Sequence, residues 1–168
     1  DEGLDTGPML AYLTTQIAPN ETSSELLDRL SIEGAQLALA TLSGIENGSI
    51  LPLHQPIDGI SSAPKITVVD AQVRWSDPAL AVDRRIRAVT KEPGAWTMFG
   101  DTRIKLQPVT VSPHVTDLAP GEVQMRDGEV LVGTGSHAVA LDQVQEAGRN
   151  LTDAKTWFSN QKSAVVFE

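Results

Sequence analysis

Apolar residues recur with two different periods along the chain. From Thr22 onward they recur at steps of three and four residues, which is typical of an amphipathic helix, through Leu27, Leu30, Gly34, Leu37, Ala38, Thr41 and Ile45. Thr22 and Glu25 have the spacing of a capping box, and Asn47-Gly48 marks the end of this helix, or of two consecutive helices. Met9 to Ile17 alternates as a strand does, and Pro19-Asn20 ends it. One strand cannot cover such a stripe, so we expect the first fifty residues to be the end of a larger Rossmann-like α/β domain.

The second half of the chain begins with a helix and continues with short strands. Ser76-Asp77-Pro78 is a helix start, and the buried stripe is expected to consist of Ala79, Val82, Ile86 and Val89. The predicted strands are Trp96 to Phe99, Arg103 to Val111, Val123 to Met125, Val130 to Val132 and Ala138 to Val144. Thr152 or Asp153 caps a last short helix that carries Trp157 and Phe158. This pattern predicts a small antiparallel barrel with an inserted helix.

The segment between these halves, residues 51–66, is rich in proline, glycine and serine, as extended connectors are. We therefore expect an incomplete domain over residues 1–50, a linker over 51–66 and a second domain over 67–168.

Composition narrows the class of protein. The chain has 168 residues, of which 40% are hydrophobic and 21% charged, as in ordinary soluble globular proteins. No apolar run is long enough to span a membrane, and the absence of cysteine excludes disulfides and thiolate chemistry and suits the cytoplasm. A net charge of −9 argues against nucleic-acid binding over the whole surface, yet residues 74–105 hold seven basic and four acidic residues, a net charge of +3.

The chain opens with a carboxylate flanked by glycines, in the segment Leu4-Asp5-Thr6-Gly7-Pro8, which we call the LDTGP turn. Glycines let a backbone approach a ligand closely, and a carboxylate in such a loop can transfer protons. An Asx-type turn that merely precedes a strand fits the same residues.

Further motifs follow in a fixed order: Ser62-Ala63-Pro64-Lys65-Ile66, Val73-Arg74-Trp75-Ser76, and a block from Ile86-Arg87-Ala88 to Pro93-Gly94-Ala95-Trp96. Together with the LDTGP turn and the late segment Gln145 to Arg149, they make the chain resemble the C-terminal half of the methionyl-tRNA formyltransferase family. It departs from the family at Val89 to Glu92, where an aromatic residue and a proline are usual, and at Arg149-Asn150, where two lysines are common.

The resemblance implies an oligonucleotide-binding-like (OB-like) barrel and a parent enzyme that transfers a formyl group from 10-formyltetrahydrofolate to the amino group of initiator methionyl-tRNA. Asp5 would be the catalytic aspartate, and Leu4, Asp5 and Gly7 would contact the folate. The family's catalytic Asn and His would precede residue 1, so the chain alone is expected to be inactive. The resemblance also implies a metal-free, cytoplasmic and monomeric parent. The expected tRNA contacts are Lys65, Arg84, Arg87, Lys91, Arg103 and Lys105.

Several alternatives stay open. The parent could formylate an amino sugar nucleotide, or the chain could be a non-catalytic nucleic-acid-binding module. Arg84, Arg87 and Lys91 are spaced to share an exposed helix face, but that face could simply pair with Asp83 and Glu92. We assign Trp75 and Trp96 to the core, read Gly133 to Ser136 as a hairpin turn, and expect no metal site because the three histidines lack ligand spacing.

Overall fold

A computed structural model describes residues 1–168 and divides them into two compact units. Unit 1 comprises residues 1–21 and 25–65, and unit 2 comprises residues 22–24 and 66–168. No helix in the structure has the length and apolar character that crossing a membrane would require.

Unit 1 is built around one long helix, α1 (Ser23–Glu46), whose first two residues count with unit 2. The helix begins directly after Thr22 and is followed by Gly48 with a φ of 71°, as the start and stop signals predicted. The expected apolar stripe is only partly right. Leu30, Leu37 and Thr41 are half-buried and Gly44 is buried beneath Ile50, but the other predicted stripe residues are exposed, namely Leu27, Gly34, Ala38 and Ile45.

The predicted strand over Met9 to Ile17 is wrong. Only Met9 pairs, in a single antiparallel bridge to Leu53, because no further segment of the chain lies alongside to complete a ladder. The rest of the segment is held by a side chain instead. The Arg29 guanidinium donates to the Thr15 hydroxyl and the Gln16 carbonyl, and it forms an ion pair with Glu21 at 3.0 Å.

Unit 2 contains two antiparallel sheets and two short helices, α2 (Ala79–Ala88) and α3 (Ala154–Ser159). The first sheet has the order β1 (Trp96–Phe99), β2 (Thr102–Leu106), β7 (Gln143–Glu146), β8 (Thr152–Asp153). The second has the order β3 (Thr110–Ser112), β6 (Ala138–Leu141), β5 (Glu129–Gly133), β4 (Glu122–Arg126), β9 (Val165–Val166). All predicted strands of this half are present. Two of them are each split, since Arg103 to Val111 breaks near Pro108 and Ala138 to Val144 changes sheet at Asp142.

Helix α2 packs against the barrel-like core as predicted. Ala79, Val82, Ile86 and Val89 are at most 4% exposed. The helix starts at Ala79, two residues later than the predicted start at Asp77, and Pro78 is the cap residue, which offers no side-chain hydrogen bond. Ser136 supplies the cap instead: its hydroxyl accepts from the Ala79 amide at 3.0 Å. Ser136 belongs to the Gly133 to Ser136 loop, which joins β5 to β6 as a hairpin, as predicted.

The aromatic residues of unit 2 form its centre. Trp75 stacks on Phe167 at 5.5 Å between ring centroids and donates its indole N–H to Thr97, while Trp157 lies 5.7 Å from Phe167. Trp96 is also buried and donates to the Val68 carbonyl. The assignment of Trp75 and Trp96 to packing is confirmed.

Candidate functional site

The LDTGP turn is an exposed loop in unit 1 whose backbone is fixed by another segment. Asp5 has a φ of 57°, in the left-handed region that aspartate tolerates better than most residues. The side-chain amide of Gln55 donates to the carbonyls of Asp5 at 2.9 Å and Gly7 at 2.7 Å. Next to it, Met9 and Leu53 exchange two backbone hydrogen bonds of 2.8 Å. The structure therefore brings Leu4, Asp5 and Gly7 together at one solvent-facing position.

The residues of this turn are accessible from solvent. Leu4 is 94% exposed and Asp5 is exposed, while Gly7 is half-buried. An apolar side chain and a carboxylate side by side at the surface can contact the apolar and polar parts of one ligand, and the carboxylate can accept or donate a proton.

A second group of functional candidates lies on the outer face of the sheet β1-β2-β7-β8 in unit 2. Arg103 and Lys105 alternate with buried Ile104 on β2, so both side chains leave the core on the same side. The Arg103 guanidinium lies 4.3 Å from the centroid of the Trp96 ring, a cation–π contact that restrains it.

Lys91 joins this face through a small cavity of about 110 Å³. Its lining consists of Thr90, Lys91, Gly94, Lys105, Leu106, Gln107 and Gln145. Gly94 has a φ of 84°, and Lys105 Nζ lies 3.5 Å from the place that a Cβ on Gly94 would take. Two lysines and two glutamines are thus among the residues that line one small cavity. We call Lys91, Arg103 and Lys105 the cationic face.

The loop that carries Lys91 is held by the first residues of α1, which belong to unit 2. The Thr90 carbonyl accepts from the Ser24 amide at 3.1 Å and from the Ser23 and Ser24 hydroxyls at 2.6 and 2.8 Å. The Lys91 amide donates back to the Ser24 hydroxyl at 2.7 Å. These bonds fix the backbone from which Lys91 projects.

Arg149 is a neighbour of this face that the sequence did not predict as a contact. Gln145 pairs with Lys105 across the strands and donates its side-chain amide to the Arg149 carbonyl at 2.8 Å. Arg149 is 76% exposed and pairs with Glu146. The signal was the late segment Gln145 to Arg149, which the family resemblance included without assigning a contact to it.

The structure corrects the prediction that Arg84, Arg87 and Lys91 share one exposed helix face. The Arg87 side chain is only 12% exposed, and its guanidinium binds the Asp83 carboxylate through contacts of 2.9 to 3.2 Å. Lys91 lies beyond the end of α2. Of these three residues, Arg84 alone is an exposed residue of the helix, while Arg87 lies on the side where Asp83 is buried and neutralises it.

Arg84 occupies a different surface from the cationic face. It lines a broad, mainly apolar groove of about 650 Å³ along α2, together with Ile66, Leu80, Asp70 and Asp77. The Thr67 hydroxyl and amide bind the Asp70 carboxylate and lower its pKa below the ordinary value, so Asp70 is ionised at neutral pH. Asp77 forms an ion pair with Arg74 at 3.5 Å, and the cation that acts on Asp70 is Arg85. Lys65 is exposed and belongs to unit 1.

This combination of an antiparallel barrel-like domain with a preceding carboxylate turn has known relatives. The family model described as "Formyl transferase, C-terminal domain" matches residues 65–162, so the chain belongs to that family. The predicted resemblance to the C-terminal half of methionyl-tRNA formyltransferases is therefore confirmed.

Similar proteins extend the match to almost the whole chain. It is 48% identical over 157 residues to a methionyl-tRNA formyltransferase of Salinispora tropica, which covers 94% of this chain and 51% of the relative. It is 49% identical over 170 residues to the enzyme of the same name from Paenarthrobacter aurescens, covering 100% of this chain and 55% of the relative. The chain thus spans about half the length of the relatives it matches.

Solved structures support the fold at lower identity. HypX from Aquifex aeolicus in complex with tetrahydrofolic acid has a TM-score of 0.70 at 23% identity, over 94% of this chain and 28% of that one. An N-formyltransferase from Helicobacter canadensis, in complex with folinic acid and dTDP-3-aminofucose, has a TM-score of 0.64 at 18% identity, over 84% of this chain and 52% of that one.

Proposed function

We propose that the chain is the C-terminal half of an enzyme that transfers a formyl group from 10-formyltetrahydrofolate to the amino group of initiator methionyl-tRNA. The observation that carries this proposal is the 48 to 49% identity to methionyl-tRNA formyltransferases over nearly the whole chain. Below, the full-length protein means a polypeptide of the relatives' length whose second half is this chain. In it, residues 1–50 complete the catalytic domain, 51–66 link the domains, and 67–168 form an OB-like domain.

Asp5 is the residue of this chain that we place in the reaction. The donor supplies a formyl carbon: its bond to the methionine nitrogen forms, its bond to the folate nitrogen breaks, and one proton passes from the amine to the folate nitrogen. Amine attack requires removal of that proton, and a positioned carboxylate can accept it and return it. The exposure of Asp5 and its neighbour Leu4 supports a ligand on this side of the LDTGP turn. The chain spans about half the length of the relatives it matches, and we propose that it is inactive alone.

We propose that the cationic face binds the tRNA backbone and that Lys65 and Arg84 make further contacts outside this face. Lys91, Arg103 and Lys105 present positive charge without a carboxylate partner in the structure, whereas Arg87 is paired with Asp83. Sheet faces of OB-like barrels commonly bind oligonucleotides, and phosphate contacts position a nucleic acid without reading its sequence. Because Arg87 is paired with Asp83, we propose a structural role for it in place of the expected tRNA contact. The full-length protein is further proposed to be monomeric, cytoplasmic and metal-free.

Formylation of an amino sugar nucleotide is the competing function. The likeness to the Helicobacter canadensis enzyme concerns the fold, at 18% identity, whereas the methionyl-tRNA formyltransferases reach 48 to 49%. The difference in identity favours the tRNA substrate.

The test is a transfer assay with labelled 10-formyltetrahydrofolate and the full-length protein, offered initiator methionyl-tRNA or a dTDP-amino sugar in separate reactions. We expect label on methionyl-tRNA and none on the sugar. Label on the sugar alone, or on neither acceptor, would refute the proposed function.

A further inference from the structure

Gln55 is an exposed residue of the connector, yet both hydrogens of its side-chain amide are used on the LDTGP turn. They reach the carbonyls on either side of Thr6, at 2.9 Å for Asp5 and 2.7 Å for Gly7. The primary amides of Gln and Asn are the neutral side chains that present two N–H donors on one nitrogen, so two carbonyls two residues apart are a matched target. We infer that Gln55 is a positioning residue for Asp5, an inference that rests on the proposed function.

The backbone places Gln55 where it can do this. Met9 and Leu53 form an antiparallel pair through two hydrogen bonds of 2.8 Å. Continuing that register by two residues on each strand sets Gln55 opposite Gly7. The connector therefore approaches the turn as a short pairing partner, and Gln55 extends the contact as far as the Asp5 carbonyl.

The conformation of the turn decides where the Asp5 carboxylate points. Asp5 has a φ of 57°, and the Thr6 hydroxyl adds a local bond to the Gly3 carbonyl at 3.1 Å. L-residues favour extended and right-handed helical conformations over the left-handed region. We therefore expect Asp5 to change to one of these conformations when its carbonyl loses the hydrogen bond from Gln55. Without Gln55, the Asp5 side chain would sample several directions.

These bonds lie at the surface, so their loss should change folding little and catalysis much. Displacing a catalytic group by about 1 Å can lower a rate about 100-fold. We therefore expect a fall in kcat of about 10- to 100-fold with the KM for methionyl-tRNA changed less than about twofold, since the turn lies outside the cationic face.

Two variants of the full-length protein test this, with a matched control. Gln55→Met removes both donors without adding charge, and Gln55→Glu keeps the shape but faces the carbonyls with an acceptor. Gln36→Glu makes the same charge change on α1, at a side chain that makes no hydrogen bond to the LDTGP turn. Both Gln55 variants should lose kcat, and the control should not. A kcat within about twofold of the unaltered protein in both Gln55 variants would overturn the inference.

A double-variant cycle separates positioning from a general structural effect. If Gln55 acts through Asp5, Gln55→Met should lower the rate little further once Asp5→Asn is present. Equal falls in both backgrounds would contradict the inference.

Hydrogen exchange gives a readout that needs no activity. Gln55→Met should speed exchange at the Met9 and Leu53 amides by about two- to tenfold, the effect of losing a typical hydrogen bond, while Gln36→Glu should not. If the unaltered full-length protein transfers no formyl group, the proposed function fails. The exchange experiment then still decides whether Gln55 supports the turn. Faster exchange in Gln55→Met would uphold that support, and unchanged exchange would overturn it.

Discussion

The two units differ in how far their apolar side chains are buried. In unit 2, Ile86, Ile104 and Val132 are fully buried between sheets and helices. In unit 1, Leu39 and Leu42 of α1 are 69% and 63% exposed, and Gly44 is the helix's buried residue. Exposed apolar surface on this scale is unusual unless another surface covers it. We take unit 2 as a self-sufficient fold and unit 1 as a layer that, in the proposed full-length protein, packs against the rest of the catalytic domain.

The largest expected effect concerns the catalytic side of this comparison. Asp5→Asn in the full-length protein should lower the formyl transfer rate by about 10²- to 10⁴-fold, the range for a positioned acid–base group, with tRNA affinity almost unchanged. Single-turnover transfer and filter binding measure the two quantities. A near-normal rate would contradict the catalytic role and would mean that Asp5 only shapes the turn.

The next prediction concerns stability in the two units. Ile86→Ala removes a fully buried side chain and should lower the free energy of unfolding by about 2 to 5 kcal/mol. Leu42→Ala makes a similar deletion at the surface of α1 and should change it by less than about 0.5 kcal/mol in the 168-residue chain. Urea unfolding of both variants measures these changes in the free energy of unfolding. Equal losses would mean that α1 is packed as tightly as unit 2.

Binding should separate the cationic face from the paired arginine. Changing Lys91, Arg103 and Lys105 together to alanine in the full-length protein should reduce the slope of log affinity for initiator tRNA against log salt by about 2 to 3. Arg87→Ala should leave that slope unchanged but destabilise the fold, because Asp83 would lose its partner. Titration at several salt concentrations, with circular dichroism as the check on folding, tests both. An unaltered slope in the triple variant would exclude the cationic face as a phosphate contact.

The smallest effect is the pH dependence of a helix cap. Asp153 accepts hydrogen bonds from the Thr156 amide and hydroxyl at the start of α3, and chiefly the amide bond lowers its pKa. A lowered pKa in the folded state means that the stabilisation is present above the ordinary carboxyl pKa and is lost as the pH falls through the folded-state value. Asp153→Ala should therefore lower Tm at pH 7 and make less difference near pH 3. A difference that does not depend on pH would contradict the charged cap.

The sequence predicted unit 2 better than unit 1 for a physical reason. Strand alternation, the Gly133 to Ser136 hairpin turn and the stripe Ala79 to Val89 are local signals whose partners lie within the chain. The Met9 to Ile17 pattern also indicates a strand, but it lacks a neighbouring strand and forms only the single bridge between Met9 and Leu53.

The sequence predicted the residue types of the candidate site but not the arrangement of their side chains. The LDTGP motif made Asp5 a candidate and the basic segment made Lys91 and Lys105 candidates, and these assignments stay predictions. The direction of Arg87 depended on whether Asp83 would be buried beside it, and the role of Gln55 depended on a contact across 48 to 50 residues of sequence. Neither can be read from local periodicity, because both arise when separate segments pack together.

One assay tests the central claim that this chain supplies the Asp5 turn and a tRNA-holding domain to a larger formyltransferase. Formyl transfer to initiator methionyl-tRNA is measured with the full-length protein and with the 168-residue chain at equal concentration. We expect turnover by the full-length protein and none by the chain. Turnover by the purified chain alone, or its absence from the full-length protein, would contradict it.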